Sequence, residues 1–292
     1  MKIIIRLLLL GWAAVICMPQ YAGSQDAPNN SLLYEVSGNG PEKPSYLFGT
    51  VHLLCPDQLQ IPEEAVRAIQ QCEILALEVN ISIPDIMTRA QEMMYMEEGV
   101  TIDSLFSEEE YETLKNYFKD SLQMPLFMFK RVKPFFLMSF TIVGFMECTP
   151  ASYEEALLKI AKKNDLEIVG IETIEEQMGI IDEIELETQA KMLLESISKY
   201  DSSRMMYDEL MRFYLSGNID SIFMLTQEYM SDEYAEIEMG LLTERNHKWI
   251  PIIMDLIDNQ PVFIAVGAAH LGGKNGLIHL LRKEGFEIKP LP

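Results

Sequence analysis

Of the four histidines in 292 residues, two share a local setting: Gly49-Thr-Val-His52 and Gly267-Ala-Ala-His270, each followed by Leu. One Gly-x-x-His is common by chance; two, each emerging from an apolar run, form a pattern. Imidazole is a proton shuttle and a frequent metal ligand, and a glycine three residues earlier lets backbone turn sharply close to a ligand. Two carboxylates are placed in parallel, Glu78 ending Ile-Leu-Ala-Leu-Glu and Glu172 ending Glu-Ile-Val-Gly-Ile-Glu. A charge at the end of a buried strand is costly unless it is paired, hydrogen-bonded or bound to metal. Two imidazoles with one or two carboxylates would suit a catalytic divalent metal such as zinc, cobalt or manganese, with one position open for water. His52, His270 and Glu78 are the expected ligands, and Glu172 the expected general base. Glu172 also adjoins Thr173, where it could simply favour a helix N-terminus. Arg245 and Asn246, in Leu241-Leu-Thr-Glu-Arg-Asn-His-Lys-Trp249, read as an exposed turn; His247 and His279 read as a charged-segment and a helix residue without a site role.

The elements that must hold these residues are legible. A strand at Leu32 to Val36 precedes the turn-rich Gly38-Asn-Gly-Pro41, and a short apolar segment, Tyr46 to Phe48, runs into the first motif. A helix from Pro62 to Cys72 and a buried strand from Glu73 to Val79 complete a βαβ unit. The order recurs at the far end, with a strand at Pro261 to Val266, the second motif, a helix at Gly276 to Lys283 and a strand at Phe286 to Lys289. Both histidines then fall beyond the carboxyl ends of strands, where open α/β sheets gather ligands. Between the two units the chain reads mainly helical, apart from a strand at Leu166 to Ile171. Ser107-x-x-Glu110, Ser152-x-x-Glu155 and Thr173-x-x-Glu176 match the capping box. Phe135 to Met146 reads as a buried helix, being shorter than the roughly 20 residues that span a bilayer. The expected fold is α/β (α+β): two βαβ-containing halves forming a mixed sheet, with large helical insertions between them, in one domain over residues 25–292.

Composition bounds the partners. A chain that is 48% hydrophobic and 23% charged is neither disordered nor fibrous. With 23 Lys+Arg against 45 Asp+Glu, the net charge of -22 excludes nucleic acid, which needs a basic face. Lys2 and Arg6, the apolar Leu7 to Cys17 and the small Ala22-Gly23-Ser24 have the layout of a cleaved secretory signal, residues 1–24. Its loss would take the charge to -24 and place the protein in the periplasm or outside the cell, with no stable membrane span in the mature chain. A lipoprotein anchor at Cys17 is disfavoured by Ile16, which stands where a small residue is expected. Cys55, Cys72 and Cys148 would remain, enough for one bridge. Cys55 and Cys148 lie in Pro-adjacent loops and are the candidate pair; Cys72 reads as a buried apolar residue.

The stretches SLLYEVSGNGPEKPSYLFGTVHLLCP (31–56), EILALEVN (73–80), CTPASYEEALLKIAKKNDLEIVGIETIEEQ (148–177), LLTERNHKWI (241–250) and PVFIAVGAAHLGG (261–273) resemble the TraB/GumN family, which is related to the Tiki metalloproteases. The resemblance implies a site around His52, Glu78 and His270, with Glu172, Arg245 and Asn246 at further motif positions. Tiki-like members are metal-dependent peptidases that trim secreted signalling proteins, whereas TraB-like members limit signalling by a peptide pheromone. The expected function is therefore an exported metal-dependent hydrolase acting on peptides or proteins. The alternatives are a protein that sequesters such a ligand without turnover and, by way of the related erythromycin esterases, a metal-independent hydrolase. Nothing in the sequence sets an oligomeric state.

Overall fold

Three apolar runs lack the alternation of a half-exposed strand, and in the computed structural model they form the interior of a sheet. Residues 31–146, 148–229 and 234–292 are described; the expected signal lies outside them. Strands β1 (Leu33–Ser37), β2 (Ser45–Thr50), β3 (Ile74–Val79), β4 (Glu167–Glu172), β5 (Val262–Gly267) and β6 (Glu287–Leu291) form one sheet in the order β4-β3-β5-β2-β1-β6. All of β2 and β3, and all but the last residue of β5, are buried, as parallel strands covered on both faces must be. β2 and β3 each pair with β5 in parallel, β4 pairs with β3 in parallel, and β1 runs antiparallel to β2 and β6. The fold is the expected mixed α/β sheet with helices inserted between strands.

The two βαβ units are not side by side. β2, the helix Glu63–Gln71 and β3 leave a gap of one strand, and β5 of the second unit fills it. β5, the helix Leu277–Lys283 and β6 then step over β2 and β1. Interleaving makes the two motif strands direct neighbours, with Thr50 opposite Gly267. The carboxyl ends of β2, β3, β4 and β5 consequently share one edge.

The insertions supply the walls. Helices Ile86–Met93, Glu108–Asp120, Pro134–Phe145 and Tyr153–Lys163 lie between β3 and β4; Ile174–Asp182, Leu186–Ser198, Tyr200–Leu215, Ile219–Tyr229 and Arg245–Asn259 lie between β4 and β5. The sheet cluster buries Leu47, Phe48, Leu75 and Phe263 completely, and a second core lies among the inserted helices around Leu114, Phe118 and Leu137. No helix among the described residues is long and apolar enough to cross a membrane. Cys55 and Cys148 form a disulfide, and Cys72 is free and buried.

Capping boxes close at Ser107/Glu110 and Thr173/Glu176. Thr173→Ala should cost about 1 kcal/mol, read as a lower urea midpoint at unchanged slope. The third start differs. Ser152 accepts the Glu155 N–H, but its hydroxyl donates to Glu154, and the box does not close.

Candidate functional site

Glu78 is the penultimate residue of β3, and burial opposes its charge. The facing His270 and Arg245 and the N–H of Gly267 outweigh that cost and hold its carboxyl at about 2. Oε1 accepts the Gly267 N–H at 2.7 Å; Oε2 accepts from Arg245 Nη2 at 2.5 Å and from Gln177 Nε2 at 3.2 Å. Glu172, last in β4, is equally committed. Its Oε1 takes Arg245 Nη2 at 2.6 Å and Gln177 at 3.0 Å; its Oε2 takes Arg245 Nε at 3.3 Å and Trp249 Nε1 at 3.0 Å. Glu172 faces the site, and the helix start beside it is capped by Thr173 and Glu176.

Arg245 joins both carboxylates. Six-residue π-turn Met239–Glu244 runs straight into it, and Arg245 opens the helix Arg245–Asn259, buried together with Asn246. The exposed turn expected from the sequence is thus corrected: the polar residues 243–248 are the end of one helical segment and the buried start of another. Guanidinium Nη1 donates to the Leu241 carbonyl at 3.0 Å and to His270 Nε2 at 3.1 Å, so every N–H of Arg245 is used. Trp249, one helical turn on, lies under the guanidinium at 4.6 Å and against the His270 ring at 4.5 Å.

These bonds fix the His270 tautomer. The Asn246 amide donates to the carbonyls of His270 and Asn275, which leaves its Oδ1 to accept from His270 Nδ1 at 2.7 Å. Nε2 then carries the lone pair that meets Arg245. His270 is 3% exposed, and burial, with Arg245 beside it, pushes its pKa down to about 3 against the pull of Glu78. It is neutral at physiological pH.

His52 stands apart from this cluster. Its side chain is 66% exposed and its Nδ1 lies 2.9 Å from Glu154 Oε1. The bond to Glu154 raises its pKa to about 9 despite burial of part of the ring, and the charge of Glu78 adds to the rise. At neutral pH His52 is therefore a cation facing the carboxyl edge of the sheet.

The motif glycines serve close approach and not a sharp turn. Neither has positive φ. A Cβ on Gly49 would stand 2.9 Å from the Leu271 side chain and 3.2 Å from Ala268 Cα, so the second motif packs directly on the first. A Cβ on Gly267 would stand 3.3 Å from Glu78 Oε1. Gly49→Ala should cost about 1–3 kcal/mol, measured by thermal unfolding; unchanged stability would mean that Leu271 moves aside freely.

The donor set does not close around a metal ion. His270 Nε2 and Glu78 Oε1 are 3.9 Å apart, with the tautomer a ligand would need. The cation between the carboxylates, however, is the Arg245 guanidinium, and among the described residues no three His, Cys, Asp or Glu side chains are grouped to hold an ion.

A family model described as the TraB/PrgY/gumN family matches residues 32–290. The chain belongs to that family. This TraB/PrgY/gumN member is 23% identical to "Metalloprotease TIKI2" of Danio rerio over 90% of its own length and 61% of the relative's. It is 22% identical to "Metalloprotease TIKI1" of Xenopus tropicalis (100% and 70%) and 21% identical to that of Homo sapiens (92% and 63%). The chain thus spans about three-fifths of the first of these proteins. No solved structure matches it.

Three site residues of this family member escape sequence reasoning. Gln177 bridges Glu78 and Glu172, Trp249 holds Glu172 and His270, and Glu154 holds His52. Trp249 had a signal: it lies at i+4 from Arg245, one helical turn along the same face.

Proposed function

We propose that this TraB/PrgY/gumN member is an exported hydrolase of peptide bonds. One observation carries the reading: an exposed, cationic His52 lies near enough to feel the charges of Glu78 and Arg245, which belong to a buried cluster with Glu172, Asn246 and His270, in a chain that aligns with named metalloproteases over 90% of its length. Efficient proton transfer calls for a group whose pKa lies near the working pH. Glu78 at about 2 and His270 at about 3 are far below it; His52 at about 9 is within reach. His52 accordingly acts as general acid, its Nε2 proton passing to the leaving amine as the C–N bond breaks and water adds to the carbonyl carbon; the proton that the water sheds returns to Nε2 and restores the imidazolium. Glu172, with two donors on each oxygen, is saturated and serves to hold Arg245 instead of acting as base.

The relatives are named metalloproteases, which supports a bound metal, and a divalent ion such as zinc, cobalt or manganese is the one proposed. Arg245 in the cation position favours a second reading, hydrolysis of the same peptides without metal. Incubating the purified protein with a random peptide library, with and without chelator and alongside metal analysis, tests both. New amino termini are expected, formed at a rate that holds through neutral pH and falls as pH rises through about 9. Loss of cleavage with chelator, together with bound stoichiometric metal, would decide for the metalloenzyme. Tight binding of peptides without any new amino terminus would overturn the hydrolase reading in favour of sequestration.

A further inference from the structure

Glu154 is spent in an unusual way for an acid in a helix's first turn. It follows Ser152 and Tyr153 at the start of Tyr153–Lys163, yet its side chain is only 18% exposed, while its neighbour Glu155 is exposed. Three side chains converge on it: Thr50 Oγ1 donates to Oε1 at 3.2 Å, His52 Nδ1 lies 2.9 Å from the same oxygen, and Ser152 Oγ donates to Oε2 at 2.5 Å. Thr50 and His52 belong to the first Gly-x-x-His motif, and Ser152 to the helix cap. His52 Nε2 has no hydrogen-bond partner among the described residues.

The backbone around this contact is clamped from both sides. Leu54 and Ala151 exchange two hydrogen bonds, at 3.3 and 2.8 Å. The Cys55–Cys148 disulfide, spanning 93 residues of sequence, closes the same junction. Two loops that the chain separates by four α-helices are thus tied within three residues of His52 on one side and six of Glu154 on the other. An ordinary exposed ion pair contributes little and has no such scaffold.

We propose that Glu154 is the positioning residue of His52: it accepts the Nδ1 proton, fixes the ring, and with the Cys55–Cys148 clamp presents Nε2 to the substrate. The kinetic part of this proposal rests on the hydrolase reading above; the structural part does not. A carboxylate behind an imidazole fixes the ring's orientation, and removing such a partner, as measured for ligating histidines, typically costs about 10- to 100-fold in activity.

The full chain is compared with Glu154→Ala, Glu154→Gln, the double variant Cys55→Ser/Cys148→Ser and, as control, Glu155→Ala. Nitrogen-15 NMR of the histidines reads the His52 Nδ1–H directly, and peptide-library cleavage reads kcat and KM separately. A downfield, hydrogen-bonded Nδ1–H is expected in wild type and in Glu155→Ala, weakened in Glu154→Gln and the cysteine variant, and lost in Glu154→Ala. Cleavage by Glu154→Ala should lose about 10- to 100-fold in kcat at little-changed KM, with Glu154→Gln recovering part of the loss. The His270 Nδ1–H held by Asn246 persists in every variant; no Nδ1–H signal assigned to His52 in wild type, or a His52 signal that survives Glu154→Ala, overturns the proposal whether or not peptides are cleaved. A lost signal with kcat within twofold of wild type overturns it as well, since the pair would then be structural only. If wild type cleaves nothing, the hydrolase reading fails, and the resonance alone decides whether Glu154 holds His52.

Discussion

Arg245→Met should destabilise the protein by about 3–5 kcal/mol, because it leaves two buried carboxylates without their shared cation. The side chains of Glu78 and Glu172 are 9% and 7% exposed, and one Nη2 lies between them at 2.5 and 2.6 Å. Burial opposes the charge on Arg245 itself, and the two carboxylates outweigh it and raise its pKa. Lys cannot substitute, since an ammonium has no planar fork to reach both carboxylates, Leu241 O and His270 Nε2 together. The check is urea unfolding of the single variant beside the triple variant Arg245→Met/Glu78→Gln/Glu172→Gln. Neutralising the stranded carboxylates should return most of the lost stability even if the single variant does not fold. A single variant within about 1 kcal/mol of wild type would mean that these charges are solvated and that the cluster is not a buried ion network.

How far the sequence reaches is clearest in the strands. Ile74–Val79 and Val262–Gly267 are legible because short apolar runs bounded by polar residues leave few other readings. Their order is not legible, because a strand buried on both faces carries no alternation that would select its neighbour. Two similar βαβ units therefore suggest adjacent halves, whereas β5 lies between β2 and β3. The same limit hid why the motifs begin with glycine. Gly49 is needed because Ala268 and Leu271 of the other motif press on it, a contact that exists only once the strands are neighbours.

Within the site, Glu78 and Glu172 stood out because each is a charge at the end of an apolar run. Arg245 did not stand out from its local sequence, since Thr243 to Lys248 contains no apolar residue to set a helical phase. That phase appears only downstream, where Trp249, Ile253 and Ile257 line the buried face that Arg245 begins. Glu154 and Gln177 look ordinary for their positions: acids are common in a first helical turn, and a single glutamine carries no pattern. What sets them apart is the partner each meets across the fold, His52 for one and the paired carboxylates for the other.

Acid should unfold this protein in two overlapping stages, the first set by His270. An unfolded histidine titrates near 6.5, whereas His270 in the fold stays neutral down to about 3. Between those values the unfolded chain binds a proton that the native one refuses, so stability falls as pH drops from about 6.5 toward 3, by a few kcal/mol. Glu78 acts in the same direction at lower pH. Its folded value of about 2 lies below the ordinary 4.5, so its contribution is present above 4.5 and is lost as pH falls toward 2. His52 works oppositely: raised to about 9, it stabilises fully below 6.5 and ceases to do so as pH rises through 9, a small effect for a ring two-thirds exposed. Urea unfolding from pH 8 to 3 should therefore show a slope beginning near 6.5, and His270→Asn, which cannot take up the proton, should flatten it down to about 4.5, where Glu78 takes over. A wild-type profile level from pH 6.5 to 4.5 would mean that His270 is already protonated in the fold, and that the lone pair facing Arg245 is not there.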